Sequence, residues 1–441
     1  MPTPVTVLAA VRGAAETQVV VALGAPDSGA RVTRRCGDVV ELLAAAAAGA
    51  GCVAIVSGDL PGLDRETVTR LHAAGVRVVG LDDGQVAGRL RAMGVDVVLD
   101  VASGPAASEL VAAVGEAASA VEPASEGPAG APAVRGAPSP DEAAAAGEPS
   151  GQVVTVWGPV GAPGRTTVAL ELAAHLAGLA GSGARAGRRA GTGRHARPAP
   201  APVAGDVLLV DADTYGSSLA MRLGLLDDAP GLAAACRAAG QGSLDAAALA
   251  RQCPVVAPGL RALTGLTRAA RWPEVPASGL EVVFEQARRI AVWTVVDTGA
   301  PIEADELLMY DTHAPQRNAA ALASLAAADH VVVVGCADPV GIGRLVRALE
   351  DLREAPIAVA APSVVVVNRA RASSVGPRPE AAVREAMARY AGLDDVVVVP
   401  DDPGAADGAL LAGRSLAEHA PASPARAAIA QVADRLRRAA T

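Results

Sequence analysis

The chain has 441 residues, a hydrophobic content of 51% against an aromatic content of only 2%, and a formal net charge of −9. This length is too great for one small domain and suits two, with cores of Val, Leu and Ala of the kind used by parallel sheets flanked by helices. The acidic balance disfavours general nucleic-acid binding, although the placement of charge counts for more than its sum.

Residues 1–120 alternate short β-rich apolar runs with amphipathic stretches. Strands are predicted at Val5 to Val11, Arg31 to Cys36, Cys52 to Ser57, Val76 to Leu81 and Val95 to Leu99. Helices are predicted at Ala14 to Leu23, Val39 to Ala48, Arg65 to Ala74, Gln85 to Met93 and Ser108 to Ala118. Five such units predict a small doubly wound α/β domain. Leu42 to Gly58 carries no charge, but its Ala and Gly content reads as helix, turn and strand rather than a membrane span. The opening Met1-Pro-Thr-Pro-Val lacks a basic region followed by an apolar segment and a cleavage site, so a cytoplasmic chain without a signal peptide is predicted.

The segment Ala54-Ile-Val-Ser57-Gly-Asp-Leu-Pro-Gly-Leu-Asp64 resembles the third strand of a response-regulator receiver. With Leu60-Pro61-Gly62 set on that family's following loop, the phosphoacceptor position falls on Ser57. The first strand ends Ala9-Ala10-Val11-Arg12 without an acidic pair to hold magnesium, and the chain contains no lysine at all. The resemblance therefore implies a degenerate, flavodoxin-like receiver domain that serves docking or dimerisation. Asp59, read as a displaced acceptor, lacks metal partners.

From 121 to 150 the composition shifts to Pro, Gly, Ala, Glu and Ser without periodicity, which predicts a linker. The stretch around which the chain is organised comes next. Gln152 to Trp157 is an apolar β-branched run that breaks into a turn built from Gly158, Gly161, Pro163 and Gly164, and helical spacing sets in from Val168. Strand, loop and helix are the setting of a phosphate-binding loop. Backbone N–H groups must curl toward one point ahead of a helix N-terminus, which small residues permit. Gly161, Ala162, Gly164 and the amides of Arg165 to Thr167 meet that requirement, and Thr166 is placed to reach a magnesium ion. Against G-x-x-x-x-G-K-[ST] there are two departures: Pro159 stands at the first Gly and Arg165 at the Lys. Arg keeps the charge but replaces a compact ammonium by a broad planar fork. A Gly/Pro turn that binds nothing is the other reading of the same residues.

A second irregular stretch, 181–205, carries Arg185, Arg188, Arg189, Arg194, Arg197 and His195 among Gly, Ala and Pro. It reads as a solvated, disordered basic insertion, with an arm meeting DNA phosphates or an anionic membrane as its other reading. Beyond it, Val207-Leu-Leu-Val-Asp211-Ala-Asp213 and Val292-Trp-Thr-Val-Val-Asp297-Thr-Gly-Ala-Pro301 each end an apolar run in carboxylates. Arg317, after a long excursion from Ile302, reads as pairing with Glu303 or Asp305 or as reaching a phosphate. Val331 to Val334 ends a buried strand, with a helix predicted from Ile342 to Leu352. Two more apolar runs end in Asn368-Arg369 and in Pro400-Asp401-Asp402. Ser423 to Arg438 places Ala425, Ile429, Val432 and Leu436 on one side and predicts a helix that closes the domain, a membrane-surface helix being the other reading. The five cysteines, Cys36, Cys52, Cys236, Cys253 and Cys336, show no C-x-x-C spacing. They read as reduced, buried, small apolar residues, which counts against an iron–sulfur site.

In this order the motifs of 151–441 resemble the deviant Walker A ATPases of the ParA/MinD family. The resemblance implies a P-loop NTPase-like, mostly parallel sheet with helices on both faces, and a site for ATP and Mg2+. It places Gly161, Ala162, Pro163, Gly164, Arg165, Thr166 and Thr167 on the phosphates, and Thr166, Asp211 and Asp297 on the metal. Asp213 would orient a water, with Arg165 as the catalytic cation, while Asn368, Arg369, Pro400 and Asp401 would surround adenine. It also implies a homodimer with nucleotide at the subunit interface. The family's signature lysine would stand at Val160, which implies weak or absent hydrolysis. The pairing with a degenerate receiver is similar to the CpaE/TadZ branch, which implies a localisation factor for tight-adherence (Flp) pilus assembly. Its partners would be pilus and secretion proteins, and it would be recruited through them to a pole or membrane. Two other readings remain: an active ATPase in DNA partitioning or septum placement, and a scaffold that binds no nucleotide.

Overall fold

The computed structural model describes residues 4–102, 106–119, 151–179, 206–225, 230–303 and 315–440. The predicted linker 121–150, the basic insertion 181–205 and Asp305 lie outside the described residues. Two compact units divide the chain, one of residues 1–136 together with 237–244 and one of the remainder.

The first unit carries five strands, β1 (Val5–Ala10), β2 (Ala30–Arg35), β3 (Val53–Ser57), β4 (Arg77–Asp82) and β5 (Val97–Asp100). They form one parallel sheet in the order β2-β1-β3-β4-β5. Alternate residues of the central strands face opposite sides, so Val7 and Ile55 pack with one helix layer and Leu8 and Ala54 with the other. Helices Val39–Ala47 and Arg65–Ala73 start where predicted because Asp38 and Asp64 cap them, accepting from the Glu41 and Thr67 N–H groups. The fourth helix, Ala87–Ala92, is shorter than its pattern implies, since the Asp82 carboxylate draws the N–H groups of Gln85 and Val86 into a turn.

The second unit is built on β6 (Gln152–Trp157), β7 (Val207–Ala212), β8 (Val255–Ala257), β9 (Leu260–Leu263), β10 (Trp293–Thr298), β11 (His330–Cys336), β12 (Pro362–Ala370) and β13 (Val397–Pro400). The order is β13-β12-β11-β6-β10-β7-β9-β8, parallel except for the β8–β9 edge pair. Strands β11 and β12 carry unbroken runs of four valines because both faces are covered. Val331 to Val334 are wholly buried, each worth about 1.5–3 kcal/mol on transfer from water. One face packs helices Arg165–Leu176 and Pro424–Ala439, and the other packs Ala319–Ala326, Pro339–Arg353 and Pro379–Ala391. The fold class is therefore α/β, a mostly parallel sheet with helices on both sides.

The C-terminal helix buries Ala425, Ile429, Val432 and Leu436 in the core, the outcome predicted for a domain-closing helix, and among the described residues no helix is long and apolar enough to cross a membrane. Two expectations need correction. The helix predicted from Ile342 begins at Pro339, because Asp338 caps it by accepting from the Gly341 N–H and proline suits a first turn. All five cysteines are free, but Cys52 is only half-buried, its thiol shared between the hydroxyl and carbonyl of Thr6.

Candidate functional site

Four parallel strands, β11, β6, β10 and β7, end side by side, and their carboxyl ends carry the site. Beyond Trp157 the chain turns through Gly161 at φ 79° and Gly164 at φ 93°, backbone states that L side chains resist. Gly164 also has no room for a side chain, since a Cβ there would strike the Asn368 amide. The helix opens at Arg165, three residues before the periodicity appears, with Gly164 as its left-handed first cap and no side chain satisfying its leading N–H groups. Gly161 to Thr167 are thus brought together as a loop whose amides precede a helix.

The Arg165 guanidinium folds back over its own loop, donating to the Gly158 and Pro159 carbonyls at 3.0 and 3.1 Å, with Asp213 at 3.9 Å. Trp157 fixes the strand end by donating from Nε1 to the Ala300 carbonyl at 2.9 Å.

The register pairs Asp297 of β10 with Asp211 of β7, so two carboxylates stand side by side with nearly no solvent. Burial pushes the Asp297 carboxyl up to about 8, and the neighbouring Asp211 adds to the rise, while a hydrogen bond from Thr166 opposes it. Burial likewise raises Asp211. The two differ in their partners. Asp211 accepts from the Ser217 hydroxyl at 2.7 Å, from the N–H groups of Ser218 and Leu219 at 3.0 Å each, and from Asp213 N–H at 3.2 Å. Its oxygens are committed to shaping the loop 213–219. Among the described residues, Asp297 Oδ1 is buried without any hydrogen-bond partner, a costly condition unless something polar is to meet it. Asp213 accepts from the Tyr215 and Gly216 N–H groups, a turn of its own.

The oxygens of Thr166 and Asp297 suit a magnesium ion, with the occupied Asp211 carboxylate behind them, and the orphaned Asp297 oxygen together with the glycine-lined loop fits a magnesium-bound phosphate. The residues present therefore accommodate both implied groups.

On the β12 side, Asn368 donates from Nδ2 to the Pro163 carbonyl at 2.9 Å, so its side chain braces the loop from below. Arg369 is the single non-glycine residue at positive φ, 61°, among the described residues, a strain found mostly at functional positions. Its guanidinium and that of Arg371 flank Asp401 at 3.4 and 3.8 Å. Asp401 N–H donates to the Ala370 carbonyl, which seats Pro400 and Asp401 beside the end of β12. An open cleft lies next to the loop helix, lined by Thr167, Leu170, Glu171, Ala406 and Leu410 among others.

Arg317 lies 4.5 Å above the Tyr215 ring, a cation–π contact beside Asp213, while Asp305, one of the carboxylates predicted to pair with it, lies outside the described residues. Sequence reasoning also missed Glu171, a wholly buried carboxyl that accepts from the Leu416 and Ala417 N–H groups at 2.6 and 3.2 Å. Burial outweighs those bonds and lifts it to about 7. Its one available signal was a charge within an otherwise apolar helical run.

No protein-family model matches the chain, and no curated protein matches it. Solved structures to which it is similar include a ParA family ATPase from Chlorobium tepidum TLS, at 18% identity over 64% of this chain and 98% of that one, with a TM-score of 0.48. Another is the septum site-determining protein MinD complexed with Mg-ADP from Pyrococcus horikoshii OT3, at 18% identity over 66% and 97%, with a TM-score of 0.44. A plasmid partition protein from Borrelia burgdorferi B31 bound to AMPPNP follows at 12% identity over 64% and 98%, with a TM-score of 0.43.

Proposed function

We propose that residues 151–440 form a ParA/MinD-type nucleotide-binding domain that takes ATP with Mg2+ and hydrolyses it slowly or not at all. The observation that carries this is the pairing of a glycine-bent loop ahead of an uncapped helix with a buried, partnerless oxygen on Asp297 next to Thr166. The loop amides and Arg165 would hold phosphate oxygens, Thr166 and Asp297 would hold the metal, and Asp211 would keep the loop 213–219 in register. Bound magnesium supplies charge neutralisation at the phosphates. Asn368, Arg369, Pro400 and Asp401 would flank the base, with Asn368 also bracing the loop. Asp213 is the residue assigned to a water, but its turn and its distance from Arg165 leave it poorly primed, which accords with slow turnover.

At the finer level the reading is a dimerising localisation factor of the CpaE/TadZ kind for tight-adherence pilus assembly, recruited through partner proteins. Titration calorimetry with Mg-ATP on folded protein tests the nucleotide: binding that weakens at least tenfold in Asp297→Asn when magnesium is present supports it. No heat and no thermal shift in the wild type overturns it. A fluorescent fusion that stays diffuse whether or not the pilus secretion ATPase is present would overturn the finer reading.

A further inference from the structure

A second cation touches the loop, and no motif announces it. Arg344 stands in the helix Pro339–Arg353, which Asp338 starts at the end of β11, the strand beside β6. Its Nη1 donates to the Val160 carbonyl at 3.4 Å. It also lies so close to Gly161 that a Cβ at that position would collide with it. The guanidinium therefore rests against the first half of the loop, where Gly161 at φ 79° turns the backbone.

The two arginines are differently occupied. Arg165 donates from Nη1 to two loop carbonyls, and its Nη2 faces Asp213, which leaves part of its fork for a phosphate. Arg344 is exposed, and among the described residues its guanidinium makes that single long bond. A guanidinium has five N–H donors in a fork that matches phosphate oxygens, so most of its capacity is open.

We propose that Arg344 is a second phosphate-binding cation of this loop, reaching over Gly161 to the polyphosphate of a nucleotide. The proposal rests on the nucleotide reading above and adds a second cation, beside Arg165, for the charge of the polyphosphate. It also assigns Gly161 a reason beyond its backbone angle, since any side chain there would displace the guanidinium.

The test is calorimetric titration of Mg-ATP at low and raised salt into the wild-type chain, Arg344→Ala and Arg344→Lys, with melting temperatures recorded for each. Arg344→Ala is expected to bind about tenfold more weakly at low salt, with a flatter salt dependence and an unchanged melting temperature. Arg344→Lys is expected to recover much of the loss. Should the wild type bind while Arg344→Ala matches it in affinity and salt slope, or while Arg344→Lys is as weak as Arg344→Ala, the role of Arg344 is overturned and the nucleotide reading stands. Absence of binding by the wild type overturns both.

Discussion

The carboxyl ends of the two sheets make an instructive pair. Both units have parallel central strands covered on both faces, and both place polar residues where the strands stop. In the first unit those residues satisfy one another: Ser57 accepts from the Arg12 N–H at 2.8 Å, and Arg12 pairs with Asp59 at 3.3 Å. In the second, Asp297 keeps a buried oxygen with no partner among the described residues. Equal architecture thus carries a self-satisfied edge in one case and an under-satisfied one in the other. Unmet polar capacity, rather than the fold, distinguishes a binding site from a packed surface.

The largest test of that contrast is Gly164→Val. It forces a β-branched residue into φ 93° and against Asn368, so nucleotide binding should fall at least a hundredfold and stability by about 1–3 kcal/mol, read by calorimetry and denaturant unfolding. A matching change at Gly75 of the first unit, which has open space around it, should cost stability alone.

Asp297→Asn sharpens the comparison from the other side. Because burial already disfavours the charge, the neutral amide should leave stability unchanged or raise it by about 1 kcal/mol, while the magnesium-dependent part of ATP affinity is lost. A large drop in stability would mean that the carboxylate is a structural anchor.

Glu171 provides a pH test. Its folded value of about 7 lies above the ordinary 4.5, so the folded state binds the extra proton, and the stabilisation present at low pH is lost as pH rises from about 4.5 through about 7. Denaturant unfolding should show the wild type losing up to about 3 kcal/mol relative to Glu171→Gln across that window, at 1.36 kcal/mol per pH unit. Parallel curves would contradict the burial of this carboxyl.

The smallest effect belongs to the first unit. Arg12→Ala removes an exposed ion pair and should shift stability by under about 0.5 kcal/mol. Incubation of the wild type with acetyl phosphate should leave Asp59 unmodified by mass spectrometry, and a phospho-aspartate there would undo the contrast between the two edges.

The phosphate-type loop was legible because its requirements are local: consecutive small residues, two of them at positive φ, directly between a strand and a helix. The strand assignments were legible for a related reason, since burial on both faces demands uninterrupted apolar runs such as Val331 to Val334. Helix starts were less so, as Pro339 and Ala87 depend on which carboxylate captures which N–H. The seat of Arg317 over the face of Tyr215 was not legible, because it turns on where two distant loops lie.

The amino-acid sequence by itself determined the two α/β units, the bend from Gly158 to Thr167 and the positions of Asp211 and Asp297 at strand ends, because each follows from nearest-neighbour backbone preference and the period of apolar residues. Only the tertiary structure decided that Asp211 is spent on its own loop while Asp297 is left a bare oxygen, that Asn368 braces Pro163, and that Arg344 lies over Gly161. Those pairings join residues up to about two hundred positions apart, and strand order and register, not local composition, bring them within hydrogen-bond reach.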